Sequence, residues 1–447
     1  MIQLMRRWAA IVLAGLTLTA CGGGDGPRTV SDTLAADPST QVLATAIREA
    51  GLDGPLRGSG PFTVMAPTDA AFSALLTELG ITQAQLLADK PLLTAVLQYH
   101  VLGARVARAD VPLGRAVTPL GGGIFKVDSV SGELRITDGR NRVSRITTTD
   151  IDGGNGLIHK VDRVLLPANR NIVQTAQSLP EFSILVEAVV AADLAGTLSG
   201  NGPFTVFAPT NAAFASLLTE LGLTKAQLLA NKPLLTKVLT YHVVPSRVLR
   251  ADVPVGPAIT TVQGETFTVN SALQITDRNG RRAGITATDV LTSNGVIHVV
   301  DKVILPKTPT VVEIAQGSPD FSILVEAVVA ADLAGTLSGA GPFTVFAPTN
   351  AAFASLLTEL GVTKAQLLAD KALLTKVLTY HVVPGRVYRA GVPVGVPITT
   401  VQGGTFTVGS DLVITDARAR RAGITATDAL ALNGVVHTLD KVILPAP

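Results

Sequence analysis

One run of twelve residues sets the terms for the whole chain. PFTVFAPTNAAF begins at Pro203, returns unchanged at Pro342 and stands as PFTVMAPTDAAF at Pro61. Neighbouring copies are 142 and 139 residues apart. Solenoid units repeat every ~20–50 residues, so a period this long makes each repeat a whole domain. Each copy carries the same local logic. A short apolar run (Phe204, Val206) ends at Pro209, which cannot continue a ladder. Thr210 is placed to cap a helix with Phe214, Leu217, Leu218 and Leu221 at helical spacing, and Gly222 is placed to stop it. The skeleton is a strand–cap–helix corner used three times.

Around these corners the 447 residues divide into repeat one at 29–168, repeat two at 169–307 and repeat three at 308–447. The junctions are the Pro-bearing stretches at 165–171 and 304–310. Within repeat two, Ile184, Leu185, Ala188 and Val189 mark an amphipathic helix. Thr224 and Gln227 have capping-box spacing, and Asn231 with Pro233 opens a further helix. After His242 the pattern changes to alternating β-branched stretches, so helices precede a mainly antiparallel sheet in an α+β domain. Aromatics are only 4% of a chain that is 47% hydrophobic, which predicts aliphatic cores. Repeats two and three are near duplicates from Phe182 to Ala230 and from Phe321 to Ala369. Repeat one has drifted: Thr40 replaces Phe182 and Phe321, and Asp69 replaces Asn211 and Asn350. Its three extra residues fall between Val127 and Leu134, where a longer hairpin loop is expected to absorb them.

The N-terminus carries a different signal. Arg6 and Arg7 precede an apolar run from Trp8 to Ala20, the proportions of a secretory leader over 1–20. The LTAC ending at Cys21 resembles the bacterial lipobox, whose cysteine carries diacylglycerol on its sulfur. An ordinary leader with an incidental cysteine is the alternative. Gly22 after the cysteine favours outer-membrane sorting, with the protein facing the periplasm or the cell surface. Residues 21–28 then form a Gly-rich tether. With the leader removed, basic and acidic residues balance, and no basic run or aromatic platform is present, so nucleic acid is not expected as a partner. Cys21 is the chain's one cysteine, so disulfides cannot stabilise the domains.

All six histidines fall at two equivalent places. His100, His242 and His381 follow Tyr99, Tyr241 and Tyr380. His159, His298 and His437 lie in strands that open with Asn-Gly. Two histidines per repeat, with no cysteine, fall short of the three or four donors zinc takes, and Asp301 alternates away from His298. No metal or cofactor is expected. Helical spacing from Leu235, Val238 and Leu239 turns the His242 ring inward, where both nitrogens need partners. Thr210, Asn211 or a backbone group of the twelve-residue run could supply them, which makes Thr68, Asp69, Thr349 and Asn350 the equivalent structural candidates. Tyr241 is expected near the domain edge. No G-x-S-x-G elbow, P-loop or G-x-G-x-x-G motif occurs, and Ser199 in its Gly-rich turn is explained by turn chemistry. Catalysis is not expected.

TVFAPTNAAF, then YHVVP, then NGVIHVVDKVILP, in this order, resembles the fasciclin domain, and the resemblance covers nearly the whole chain after the leader. It implies three tandem fasciclin-like domains, each a compact β-sandwich-like wedge with helices packed at its edge. It also implies non-enzymatic extracellular adhesion, with a surface or matrix protein or a polysaccharide as partner and the membrane held through lipid on Cys21. Tyr99–His100, Tyr241–His242 and Tyr380–His381 match a tyrosine–histidine motif associated with integrin binding in animal members. The alternative is a binding protein for an envelope polymer or a small apolar ligand, which would need a pocket of ~300 Å³ or more beside the histidines.

Overall fold

The computed structural model describes residues 28–447. The expected leader, the lipidation site Cys21 and most of the tether lie outside the described residues. The chain forms two compact units, one ending at Ala168 and the other running from Asn169 to Pro447 with repeats two and three.

Repeat two serves as the pattern. Its helices are α1 (Ile172–Gln177), α2 (Ser183–Ala191) and α3 (Ala195–Leu198). Strand β1 (Phe204–Pro209) follows, then α4 (Asn211–Leu221), α5 (Lys225–Ala230) and α6 (Lys232–Tyr241). The remaining strands are β2 (Val243–Val244), β3 (Ala258–Thr260), β4 (Thr266–Val269), β5 (Gln274–Thr276), β6 (Arg282–Thr292) and β7 (Gly295–Val300). Side chains set the helix starts. Thr210 accepts from the Ala213 amide, Thr224 and Gln227 close a capping box, and Asn231 caps the Leu234 amide, each satisfying amide groups that a helix leaves open. Gly222 ends α4 at φ 65°, the left-handed conformation for which glycine carries no Cβ penalty.

The seven strands form one sheet in the order β3-β4-β5-β6-β7-β1-β2, and the same order recurs in repeats one and three. All pairs are antiparallel except β7 with β1, where His298 lies opposite Phe207. Gly295 opens β7 against Phe204, and a Cβ there would sit 2.1 Å from the Phe204 carbonyl oxygen. Each repeat is thus an α+β fold of helices and a curled seven-stranded sheet.

Alternation along β1 feeds two cores. Val206 joins Phe182, Leu185, Phe214, Leu217, Leu235 and Val238 on the helix side. Phe207 joins Tyr241, Phe267, Val269, Ile275 and Val300 among the strands. The helix-side core is mostly aliphatic, as composition predicts, with Phe182 and Phe214 as its buried aromatics, while the smaller strand-side core is built around three aromatic rings. Phe207 and Phe267 meet edge to face at 5.1 Å, and Tyr241 meets Phe267 at 6.1 Å, a contact worth about 1 kcal/mol beyond area burial.

The extra residues of repeat one do not lengthen a loop. They extend the ladder instead, with Asp128 opposite Arg135 and Val130 opposite Glu133. Ser131 and Gly132, both at positive φ, close it with the tight turn whose twist matches paired strands. Ladder hydrogen bonds are gained this way, which a longer loop would not provide.

Candidate functional site

Helix α6 ends where the two cores meet. Its apolar side (Leu235, Val238, Leu239) lies in the helix-side core, while Tyr241, the last residue, turns into the strand-side core. His242 follows as the C-cap and is buried. Its Nδ1–H donates to the Val238 carbonyl at 2.8 Å, and Nε2 accepts from the Ile304 amide at 3.1 Å. Helix ends leave carbonyls without partners, and the imidazole satisfies one of them. The His242 carbonyl accepts from the Phe207 amide at 2.9 Å. One residue therefore joins α6, β1 and the segment after β7. His100 and His381 repeat this with Val96 and Leu165, and with Val377 and Ile443. Burial pushes all three imidazoles down to about 4 from the ordinary 6.5, since the charged form loses its water.

The partners differ from those the sequence suggests. Thr210 spends its hydroxyl on its own helix, and Asn211 accepts from the Ile184 amide while donating to the Pro180 carbonyl. Thr349 and Asn350 do the same in repeat three. In repeat one Thr68 caps its helix and Asp69 accepts from the Val42 amide, and a carboxylate has no amide donors to offer in return. These residues fasten the central helix to the one before it and leave the histidine to backbone groups.

Tyr241 is not at the domain edge. It is fully buried, and its hydroxyl donates to the Thr266 carbonyl at 2.8 Å. Tyr380 reaches the Thr405 carbonyl at 2.6 Å and Tyr99 the Ile124 carbonyl. Burial raises the pKa of each phenol. A buried hydroxyl must find a partner, and the start of β4 supplies it.

The second histidines are equally enclosed. His298 Nε2–H donates to the Val248 carbonyl at 2.8 Å, and Nδ1 accepts from the Asp289 amide at 3.3 Å. Asp289 sits at φ 62° where the β6 register shifts against β7, so the ring holds a bulge. His159 and His437 bond Val106 with Asp150, and Val387 with Asp428, in the same way. Asn294, just before Gly295, was not singled out by sequence reading. Its amide donates to the Leu198 and Gly200 carbonyls and its oxygen accepts from the Ile172 amide, tying α1 and α3 to the sheet. Among the described residues no group of three or more His, Cys, Asp or Glu is placed to hold a metal ion.

What the tyrosine positions is exposed. The turn between β3 and β4 is held at three points: Tyr241 on Thr266, the Val262 amide on the Val243 carbonyl at 2.7 Å, and the Gln263 amide on the Thr240 carbonyl at 3.2 Å. Val262 at its tip is 44% exposed, and its counterparts Leu120 and Val401 are 57% and 49% exposed. A second exposed aliphatic position, Leu113, Val255 and Val394, pairs with the other end of the same hairpin through Val127, Val269 and Val408. Single exposed aliphatics are ordinary. A pair at both ends of one hairpin in all three repeats is not random scatter, and the repeat register was the signal that could have found it. Beside His381 an apolar space lined by Val311, Leu324 and Leu378 holds about 40 Å³.

Comparison with known proteins identifies three tandem matches to the family model described as Fasciclin domain, at residues 38–167, 180–306 and 319–445. The chain is 28% identical over 418 residues to transforming growth factor-beta-induced protein ig-h3 of Sus scrofa, an alignment covering 91% of this chain and 56% of that protein. It is 45% identical over 150 residues to protein sll1483 of Synechocystis, covering 33% of this chain and 79% of that one. The chain spans about half the length of the animal relatives it matches end to end. A FAS1 domain pair from the insect cell adhesion molecule fasciclin I aligns at 17% identity with a TM-score of 0.31, covering 62% of this chain and 95% of the pair.

Proposed function

The chain belongs to the Fasciclin domain family, and on that premise we propose that it is a non-enzymatic adhesion protein of the cell envelope. It is held by lipid on Cys21 and contacts surface or matrix molecules through all three repeats. The observation that carries this reading is the hairpin turn with its exposed aliphatic tip at Leu120, Val262 and Val401. A partner that docks on one tip is met by two more on the same chain, so three weak contacts multiply through effective concentration.

The tyrosine–histidine pairs serve this surface from beneath. Their rings are enclosed and bonded to backbone, the tyrosine to the turn at Thr266 and the histidine to Val238 and Ile304, so they support the surface and do not touch the partner. Binding of a small apolar ligand beside the histidines is the weaker reading, because 40 Å³ beside His381 is far below the ~300 Å³ of ordinary ligand pockets.

The test replaces Leu120, Val262 and Val401 together by Asp. Exposed substitutions of this kind change stability by only about 0.5 kcal/mol. Beads carrying the triple variant should detach from matrix-coated or envelope-coated glass at much lower shear than beads carrying the unsubstituted chain. Equal detachment with an unchanged melting point would remove the turn from the binding surface.

A further inference from the structure

Repeats two and three lie in one compact unit, and their meeting surface is not explained by adhesion. Helix α4 of repeat two ends at Leu221, leaving its last carbonyls without intrahelical partners. Two of them are satisfied from repeat three. The Tyr388 hydroxyl donates to the Leu221 carbonyl at 2.7 Å, in a buried contact, and Arg386 Nη1 donates to the Glu220 carbonyl at 2.5 Å. Arg386 Nη2 meanwhile donates to the Ala431 and Leu432 carbonyls of its own repeat. A guanidinium at a helix C-terminus also meets the negative end of the helix dipole. Leu430 packs against the helix-side core of repeat two, and the apolar crevice beside it, about 190 Å³, is lined by Leu217, Leu234, Val238 and Leu305.

Position by position, the acceptor is common and so is the arginine, which stands as Arg105 and Arg247 in the other repeats, but the tyrosine hydroxyl is not. Asn350–Gly361 has the same sequence as Asn211–Gly222, yet Leu360 is 43% exposed where Leu221 is 5% exposed. Tyr388 is replaced by Leu249 in repeat two and by Ala107 in repeat one. Neither replacement has a hydroxyl.

We propose that the Arg386–Tyr388 edge is a docking surface for the C-terminal end of the central helix of the preceding repeat, with Tyr388 the residue that selects it, and that it makes repeats two and three one rigid body. Domains joined by a short linker otherwise move relative to one another unless their interface is large and apolar. The clasp adds directional hydrogen bonds to the apolar contact made by Leu430. It is independent of what the repeats bind, because neither residue belongs to the exposed hairpin turns.

The test uses the full chain with Cys21→Ser and spin labels on cysteines introduced at Ser216 and Ala426, both exposed, one in each repeat. The clasped chain should give a single narrow distance distribution. Tyr388→Ala, which installs the residue repeat one already carries, should broaden it about twofold or split it as the docked population falls. Tyr388→Phe keeps the ring and loses only the hydroxyl, so it should add a second population while circular dichroism stays unchanged. It decides the matter if the alanine variant does not fold. A broad distribution in the clasped chain, or a Tyr388→Phe distribution identical to it, would overturn the proposal.

Discussion

His242→Ala removes one imidazole and strands two backbone groups. The Val238 carbonyl loses the donor that satisfied it at the end of α6, and the Ile304 amide, on a residue 1% exposed, loses its acceptor. Each buried group left unpaired costs about 1–3 kcal/mol. The vacated ring adds a cavity penalty, and water entering it recovers part of the loss. The expected net destabilisation of repeat two is about 2–4 kcal/mol, or a fall on the order of 10 °C in its melting transition for a domain of this size. Calorimetry of the full chain reads the transition, and hydrogen exchange of the Ile304 amide, which should lose protection, ties the change to this bond. A shift under about 2 °C with Ile304 still protected would refute the reasoning, because the ring would then not be holding the segment after β7.

Two further outcomes follow from the same geometry and a third from the leader sequence. His100, His242 and His381 are neutral in the fold with values near 4 and titrate near 6.5 when unfolded, so the unfolded chain takes up protons first as pH falls. Their stabilisation is complete above about pH 6.5 and is lost on the way down through 4, on the order of 3 kcal/mol per repeat, and denaturant midpoints at pH 7 and pH 4.5 measure it. Tyr241→Phe leaves the Thr266 carbonyl without its buried donor, costs about 1 kcal/mol and should speed hydrogen exchange in the turn around Val262 more than anywhere in α6. Cys21→Ser should abolish labelled-palmitate incorporation and globomycin-sensitive processing, and a soluble product cleaved elsewhere, without lipid in the parent chain, would contradict the anchor.

Local signals were the legible part of the fold. Caps such as Thr210, the box at Thr224 and Gln227, and the stop at Gly222 act within one turn of helix, so spacing alone reveals them. The strand order was not legible, because the parallel pairing of β7 with β1 joins Gly295 to Phe204 across most of a repeat. Tyr241 was misplaced for a related reason: helical spacing orients a ring about its own helix, and the strand-side core that encloses Tyr241 is assembled from β1, β4 and β7. The partners of His242 are backbone groups of Val238 and Ile304, which carry no residue-type signature at all. The drift from Val262-Gln-Gly-Glu to Leu120-Gly-Gly-Gly marks a changed surface in the sequence, but the exposed tips at Leu120, Val262 and Val401 were not legible, because an aliphatic residue in a strand-rich stretch reads as core until its exposure is known.

Adhesion by three contacts that reinforce one another is tested most directly by disabling the turns in succession. Beads bearing the leader-free chain with Asp at Val262 alone, at Val262 and Val401, and at all three turns are held on matrix-coated and envelope-coated glass under rising shear. The account predicts that resistance falls in steps with each turn lost, more steeply than in proportion, as avidity requires, while melting points stay together. Loss of all adhesion from one substitution, or none from three, would contradict it.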